Sequence, residues 1–505
     1  MNISNLLSRN GRKFSDSIAI VEGETSKTYR QLDDEVNRFA SSLRNLGVVR
    51  GNKVMLFLPN TSEFIISYLA TLRLGAIAVP VNARLTAKEL TYIIEHSDAT
   101  AVICHQALFE GVKDLPKSID LIWIKTGEKI GAWESFMELL EVGASAEIVC
   151  SMKEDDEATI LYTSGTTGNP KGVVFTYRNI LSVSTMMCVE TEMKSESRIM
   201  HMMPLSHSAP LHLFFISGLY VGATHVLAPT FTPDLLLSLT KRERITHFFG
   251  APVAYLLTAN HPKMKEADLS SVKYWVYGGA PLSSQEITFL QNAFSSNRFM
   301  CVYGLTEAGP NGTFLSPAEH EEKAGSIGKR AALNCEIKIV DAHGEEVKEG
   351  HVGEIALYGE GNMKGYYKDK ERTSETYRNG WLLTGDMAKK DEDGFIWVVD
   401  RKKDMIISGG VNVFPKEIED RLKVHPSNAD VAVIGVPHNE WGESIKAVIV
   451  LKEEVPNVEE ECKRFLSNEL AKYKIPHLYE VVKELPRNPT GKILKQELRK
   501  KEALS

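Results

Sequence analysis

The sequence lacks the patterns that mark disulfide-rich, zinc-binding and exported proteins. Its cysteines are scattered, and none are close enough together to form a CxxC pair. They are Cys104, Cys150, Cys188, Cys301, Cys335 and Cys462. We interpret them as reduced core residues, as expected of a cytoplasmic protein. The stretch before Phe14 has no long apolar core of a signal peptide, and the last three residues are not an evident address signal.

An excess of positive charge and a long apolar run are also missing. The formal net charge is −7, which argues against a nucleic-acid partner. Residues 202–233 contain no charged side chain, but prolines and histidines interrupt them. The apolar part around Leu213–Val221 is shorter than the ~20 residues that a membrane span needs. We therefore expect a buried helix that ends near Gly222, a strand at His225–Ala228 and no transmembrane segment.

The chain is long enough for several domains. It has 505 residues, of which 43% are hydrophobic and 25% charged, as in soluble globular proteins. Its N-terminal part alternates between helical and strand patterns. Predicted elements there are helices at Tyr29–Leu46 and Glu63–Leu74 and strands at Lys53–Leu58 and Ile77–Pro80, and a further helix is predicted at Tyr177–Glu190. This alternation predicts an α/β fold, with parallel sheets and helices on both faces.

The segment YTSGTTGNPKG, Tyr162–Gly172, has the composition of a loop that holds phosphate. Glycines permit exposed backbone amides, hydroxyls add donors, and a lysine adds a positive charge. The candidate nucleotide-binding residues are Thr163, Ser164, Gly165, Thr166, Thr167, Gly168 and Lys171. The segment is not the common P-loop, because Lys171 stands between Pro170 and Gly172. A solvated, glycine-rich surface loop is the alternative interpretation.

Two further motifs suit a nucleotide. In VYGLTEAG, Tyr303 could stack on a purine, Thr306 could donate to a phosphate, and Glu307 offers Mg²⁺ a hard oxygen. In GWLLTGDM, the Asp386 carboxylate could accept both ribose hydroxyls. Taken alone, the first spacing occurs often by chance and the second is typical of a turn aspartate.

Together these motifs resemble the adenylate-forming superfamily, which includes acyl-CoA synthetases, peptide-synthesis adenylation domains and luciferases. The resemblance runs from about Asp16 to Lys495, and the motif forms are most similar to those of fatty-acyl-CoA ligases. It implies a large N-terminal domain, residues 1–400, of two α/β subdomains plus a small β-barrel or sheet. A hinge at 401–404 and a small mobile α+β domain at 405–505 would follow.

The resemblance also implies roles for single residues. His207, in MMPLSHSAP, would close the carboxylate end of the acyl pocket, and Lys492 would act with Thr306 and Glu307 in catalysis. Small residues around His207 depart from the family pattern and leave the pocket shape open. The adenine would be bordered by Gly279, Ala280 and Pro281, and Arg401 would contact ribose or phosphate.

The remaining implied residues concern CoA and the hinge. Arg84, Gly409, Gly410 and Trp441 would contact CoA, and Lys403 would be the hinge residue. A surface arginine, a packing tryptophan and a charged surface cluster at DRKKD are the alternatives. Val411 stands where relatives often have Glu or Tyr.

The implied reaction is the ATP-dependent ligation of a carboxylic acid to CoA. The acid attacks the α-phosphate of MgATP to give acyl-AMP and pyrophosphate, and the CoA thiol then displaces AMP. A medium- or long-chain fatty acid is the expected substrate. Alternatives are an aryl-CoA ligase of benzoate or succinylbenzoate type and a stand-alone adenylation enzyme that loads a carrier protein. A luciferase-like oxygenase, a homodimer and a transient membrane contact for a lipid substrate stay open.

Overall fold

The computed structural model describes residues 3–115, 121–163, 170–408, 411–438, 441–453, 456–467, 469–487 and 493–502. The chain divides into two compact units. The first contains residues 1–337 and 357–382, and the second contains residues 338–356 and 383–505. The domain boundary expected at 401–404 stays a prediction.

The helices begin and end as follows. The α-helices are α1 (Ser4–Lys13), α2 (Tyr29–Asn45), α3 (Ser62–Arg73), α4 (Ala87–Ser97), α5 (Phe136–Val142), α6 (Tyr177–Glu190), α7 (Ile216–Val221), α8 (Pro233–Glu243), α9 (Pro252–Ala259), α10 (Ser284–Phe294), α11 (His320–Lys323), α12 (Lys370–Thr376), α13 (Pro415–Lys423), α14 (Val458–Ser467) and α15 (Lys495–Glu502). A π-helix spans Ala209–Phe215, and short 3-10 helices span Gln106–Gly111, Pro262–Glu266, Thr306–Ala308, Pro317–Glu319 and Lys472–Lys474.

The strands are numbered in chain order. They are β1 (Ile18–Glu22), β2 (Thr25–Thr28), β3 (Lys53–Phe57), β4 (Ile77–Pro80), β5 (Ala99–Cys104), β6 (Ile122–Lys125), β7 (Trp133–Ser135), β8 (Glu157–Thr163), β9 (Lys171–Thr176), β10 (Arg198–His201), β11 (Thr224–Leu227), β12 (His247–Gly250), β13 (Tyr274–Gly278), β14 (Phe299–Tyr303), β15 (Thr313–Leu315), β16 (Arg330–Ala331), β17 (Cys335–Val340), β18 (Gly353–Gly359), β19 (Gly365–Tyr366), β20 (Tyr377–Arg378), β21 (Trp381–Lys390), β22 (Ile396–Arg401), β23 (Ile406–Ser408), β24 (Val411–Val413), β25 (Asn428–His438), β26 (Gly442–Leu451) and β27 (Leu478–Val481).

Two large sheets organise the first unit, and they confirm the predicted α/β class. One has the strand order β16-β15-β14-β13-β12-β10-β11-β1-β2, and the other has the order β19-β9-β8-β4-β3-β5-β6-β7. Strands β10 to β14 pair in parallel, as do β3, β4, β5 and β8. Their central residues are buried and apolar, as expected for parallel strands covered on both faces.

Helix ends in this unit follow from local sequence signals. Helix α2 starts at a capping box in which Thr28 and Gln31 each bind the other's backbone amide, and Thr86 with Glu89 does the same for α4. Helix α6 has the predicted bounds, Tyr177–Glu190, and begins at a third capping box.

The uncharged segment forms two kinds of helix instead of the single helix expected. A π-helix over Ala209–Phe215 runs directly into α7, which ends at Gly222 with φ +82°. The predicted end is therefore confirmed. Among the residues that the structure describes, no helix has the length and hydropathy required to cross a bilayer.

The second unit contains a sheet of order β24-β23-β26-β25, with β27 parallel to β26. Helices α13 and α14 contribute to its apolar core, which includes Ile418, Leu422 and Leu466. Strand β22 pairs antiparallel with β21, with Asp386 opposite Arg401.

Candidate active site

Loops that follow parallel strands carry most of the candidate residues of the first unit. Strands β10, β12, β13 and β14 are parallel neighbours, so their carboxyl ends share one edge of the nine-stranded sheet. His207 follows β10, Gly279 follows β13, and Glu307 follows β14. In open α/β sheets this edge is where ligands bind.

The second sheet contributes a hairpin and one asparagine. Strands β8 and β9 are antiparallel, with Thr163 opposite Lys171 at the end of the ladder. These two residues therefore flank the predicted phosphate loop. Asn82 lies just beyond β4, and Asn60, just beyond β3, donates to the carbonyls of His201 and Met203. Asn60 thus ties the loops of the two sheets together.

His207 lies in a partly buried polar pair. Its Nε2 is 3.4 Å from the side-chain amide of Asn82, 125 residues earlier in the chain. Burial lowers the pKa of His207 below its usual 6.5, so the imidazole is neutral at neutral pH. The adjacent Ser208 donates its hydroxyl to Oγ1 of Thr306, 3.3 Å away. The loop after β10 and the loop after β14 therefore meet at His207 and Thr306.

Glu307 is held through both its side chain and its backbone. The phenol of Tyr366 donates to Oε1 at 2.9 Å, and the amide of Met363 donates to the Glu307 carbonyl at 2.8 Å. Burial, followed by the charge of Glu307, raises the pKa of Tyr366 well above its usual 10. The phenol therefore stays protonated and remains the donor in this bond.

Lys171 lies over the same tyrosine. Its ammonium is 5.1 Å from the centre of the Tyr366 ring, within the range of a cation–π contact. Burial, followed by the positive charge of Arg372, lowers the pKa of Lys171 from its usual 10.5, while Glu307 and Asp369 oppose the shift. This half-buried ammonium would gain favourable interaction energy from an anion.

The backbone around Tyr303 is packed so tightly that only glycine fits at two positions. A Cβ on Gly278 would come within 2.8 Å of the Val302 carbonyl oxygen, and one on Gly304 within 2.1 Å of the Pro310 carbonyl oxygen. Gly279 has φ +83° and open space around it, and Ala280 is exposed beside it. Pro281 and Tyr303 are half-buried.

In the second unit, Asp386 and Arg401 face each other across the β21–β22 ladder. The Arg401 guanidinium is 2.6 Å from Oδ1 of Asp386, whose side chain is buried. Glu354 supports this turn, because it accepts from the amide of Gly385 and from the ammonium of Lys402. Thr384 accepts from the Asp386 amide. The carboxylate of Asp386, which is predicted to bind ribose, is therefore oriented by its ion pair with Arg401.

Of the predicted hinge and CoA residues, those that the structure describes lie at the surface. Lys403 is exposed in the turn before β23, and Asp404 after it pairs with Arg499. Trp441 is partly exposed and stacks on His438, with ring centres 4.4 Å apart, while the tilted ring of His477 lies 4.9 Å away. Arg84 is exposed, and its amide donates to the Asn82 side chain. Their proposed contacts with CoA and their hinge role stay predictions.

Some predicted residues lie outside the described residues. These are Ser164, Gly165, Thr166, Thr167, Gly168, Gly409, Gly410 and Lys492.

Sequence reasoning missed four residues that orient candidate side chains: Asn82, Ser208 and Tyr366 in the first unit and Glu354 in the second. Asn82 is two residues before Arg84, and Ser208 directly follows His207. A polar side chain so near a candidate residue was a signal that it could belong to the site. Tyr366 and Glu354 carry no local signal, because each acts on a partner tens of residues away.

Family models match most of the chain. The model described as AMP-binding enzyme matches residues 7–367, and the one described as AMP-binding enzyme C-terminal domain matches residues 417–492.

Similar proteins span nearly the whole length of the chain. Feruloyl-CoA synthase of Amycolatopsis sp is 36% identical over 98% of this chain and 97% of its own length. Long-chain-fatty-acid–CoA ligase FadD13 of Mycobacterium tuberculosis is 34% identical over 95% of this chain and 94% of its own. The crystal structure of ATP-bound MatB from Rhodopseudomonas palustris matches with a TM-score of 0.89 at 29% identity, covering 99% of both chains.

Proposed function

Since the chain belongs to the family of AMP-binding enzymes, we propose that it is an AMP-forming ligase that joins a carboxylic acid to CoA. The carboxylate attacks the α-phosphate of ATP, a P–O bond forms, and pyrophosphate leaves. The sulfur of CoA then attacks the acyl carbon, and AMP leaves. The observation that carries the proposal is the cluster of Lys171, Tyr366 and Glu307 beside the contact of Ser208 with Thr306.

The first half-reaction must bring two anions together. Lys171 supplies a positive charge beside the triphosphate, and its half-buried position strengthens that interaction. The amides and hydroxyls of residues 163–168 would hold the phosphates as the proposed loop. Lys492 would add a second positive charge at the α-phosphate, and Thr306 a hydroxyl donor.

Glu307 fits the role of a magnesium ligand. Its carboxylate is half-buried and accepts a hydrogen bond from the phenol of Tyr366 through Oε1, which leaves the oxygen Oε2 for a cation. Within the described ranges there is no cluster of three or more metal-ligating side chains. A single carboxylate suffices for Mg²⁺, which is bound largely through waters and substrate phosphates. When bound, Mg²⁺ would offset the charge of the phosphates and of the departing pyrophosphate.

The acid would lie with its carboxylate toward His207. A neutral imidazole next to the Asn82 amide and the Ser208–Thr306 pair offers hydrogen bonds without a competing full charge. The attacking oxygen therefore keeps its nucleophilicity while its position is restricted.

The nucleoside would be held from several sides. Asp386 would accept the ribose hydroxyls, with Arg401 fixing the carboxylate. Tyr303 would stack on adenine beside Gly279, Ala280 and Pro281. After adenylation, a rotation at Lys403 would withdraw Lys492 and present Gly409, Gly410 and Trp441 to CoA, together with Arg84.

The acid is proposed to be a medium- or long-chain fatty acid, in line with the similarity to FadD13 at 34% identity. The similarity to feruloyl-CoA synthase at 36% favours an aromatic acid as the second candidate. Chain-length discrimination by burial alone is modest, at about 0.8 kcal/mol per methylene. The steric end of the pocket would therefore decide between the two.

The test is a panel of fatty and aromatic acids assayed for AMP, pyrophosphate and thioester, each acid graded by kcat/KM. AMP and pyrophosphate formed in equal amounts with acyl-CoA support the ligase. ADP as the nucleotide product would refute it. A preference for aromatic acids would replace the fatty-acid proposal, and adenylate formed without transfer to CoA would favour a carrier-loading enzyme.

A further inference from the structure

The short segment 363–367 joins the two charged groups of the candidate site. On one side it pairs with β9, with Gly365 opposite Val174 and Tyr366 opposite Val173. The amide of Tyr367 donates to the carbonyl of Gly172, next to Lys171. On the other side the amide of Met363 donates to the carbonyl of Glu307. One stretch of backbone therefore fixes the distance between β9 and the turn after β14.

The side chain of Tyr366 also contacts both charged groups, Glu307 and Lys171. Its hydroxyl donates to Oε1 of Glu307 at 2.9 Å, and its ring lies under the Lys171 ammonium at 5.1 Å. Its amide donates to the Thr373 hydroxyl, which anchors the residue to α12. Gly365, before it, has φ +154°, and a Cβ there would be 2.9 Å from the Thr373 side chain. The tyrosine is thus held in place from three directions.

We propose that Tyr366 is a positioning residue that sets the Glu307 carboxylate and the Lys171 ammonium at one fixed separation, matched to a magnesium-bound nucleoside triphosphate. The hydroxyl binds Oε1 and so orients Glu307, whose Oε2 would be left to hold the magnesium ion. The ring keeps the lysine from reaching Glu307 and forming an ion pair that would cancel both charges. The inference rests on the proposed function only for the choice of MgATP as the ligand.

The chain offers a matched control in the next residue. Tyr367 is also a partly buried tyrosine, but its hydroxyl donates to Asp98 at 2.8 Å. Tyr366→Phe and Tyr367→Phe therefore remove the same group from neighbouring positions, and only the first removes a bond to Glu307. Tyr366→Leu removes the ring as well, and with it the contact to Lys171.

The experiment measures binding directly, by calorimetry with MgATP and with ATP in excess EDTA. Tyr366→Phe should weaken the affinity for MgATP about tenfold, on the scale of one hydrogen bond to a charged group, and change the affinity for metal-free ATP by less than about twofold. Tyr366→Leu should weaken both affinities, because Lys171 loses its cation–π contact. Tyr367→Phe should leave both unchanged. Equal weakening with and without metal in Tyr366→Phe, or wild-type affinity, would overturn the proposal.

A double-mutant cycle guards against a general loss of structure. If Tyr366 acts through Glu307, adding Tyr366→Phe to Glu307→Gln should change MgATP affinity by less than about twofold. A further loss of about tenfold in that background would overturn the proposal. A wild-type protein that binds MgATP with the expected differences but activates no acid would refute the ligase and support the positioning role.

Discussion

Buried neutral histidines should make the first unit sensitive to mild acid. His201 and His225 are buried on the neighbouring strands β10 and β11, with Nε2 of His201 2.9 Å from Nδ1 of His225. Burial lowers the pKa of His201 from 6.5 to about 3, and it lowers the pKa of His212 equally. Burial, followed by the electrostatic interaction with His201, also lowers the pKa of His225 well below 6.5.

The sign follows from which state binds the proton. Between pH 6.5 and the lowered pKa, the unfolded chain protonates these imidazoles and the folded chain does not, so stability falls as pH falls. At pH 5, about 1.5 pH units below the unfolded pKa, each of these histidines lowers the free energy of unfolding by about 2 kcal/mol. His201 and His212 together lower it by about 4 kcal/mol, a large part of the roughly 5–15 kcal/mol that stabilises a typical domain.

The assay is urea unfolding at pH 7, 6 and 5, followed by tryptophan fluorescence. The variant His201→Gln removes one titrating group and keeps an amide that can bond to His225. Between pH 7 and pH 5, the free energy of unfolding of this variant should fall by about 2 kcal/mol less than that of the wild type. His343→Gln, at an exposed position, should behave as the wild type. A His201→Gln protein with the same pH dependence as the wild type would refute the reasoning.

Three further predictions concern the proposed reaction and the turn beside Glu307. Lys492→Ala should slow adenylation by on the order of 10²–10³, as for loss of one electrostatic donor, while CoA transfer from supplied acyl-AMP survives better. Equal losses in both half-reactions would contradict a role confined to adenylation. Lys403→Pro should spare pyrophosphate release and impair thioester formation, and normal overall turnover would remove the hinge assignment. Gly304→Ala should lower the thermal midpoint and the adenylation rate, because its Cβ would meet the Pro310 carbonyl at 2.1 Å. Gly111→Ala, whose Cβ would meet no atom within 4 Å and whose φ lies outside the left-handed region, is the control and should lose less stability.

Local sequence determined the kind and position of many elements. Helix α6 and strand β4 have the predicted bounds, and Gly222 ends α7 as expected. These features depend on apolar periodicity, capping side chains and glycine conformation, which act over a few residues. The pairing of Thr163 with Lys171 across β8 and β9 likewise follows from a short hairpin.

The tertiary structure alone decided which distant side chains meet. The bond from Tyr366 to Glu307 joins positions 59 apart, and the contact of Asn82 with His207 joins positions 125 apart. The π-helix over Ala209–Phe215 was not predicted either, because its apolar residues suit an ordinary helix equally well. The spacing of apolar residues shows which face of a helix or strand is buried. It does not show which other element packs against that face. Contacts of this kind depend on how the two sheets of the first unit pack, and no short stretch of sequence encodes that packing.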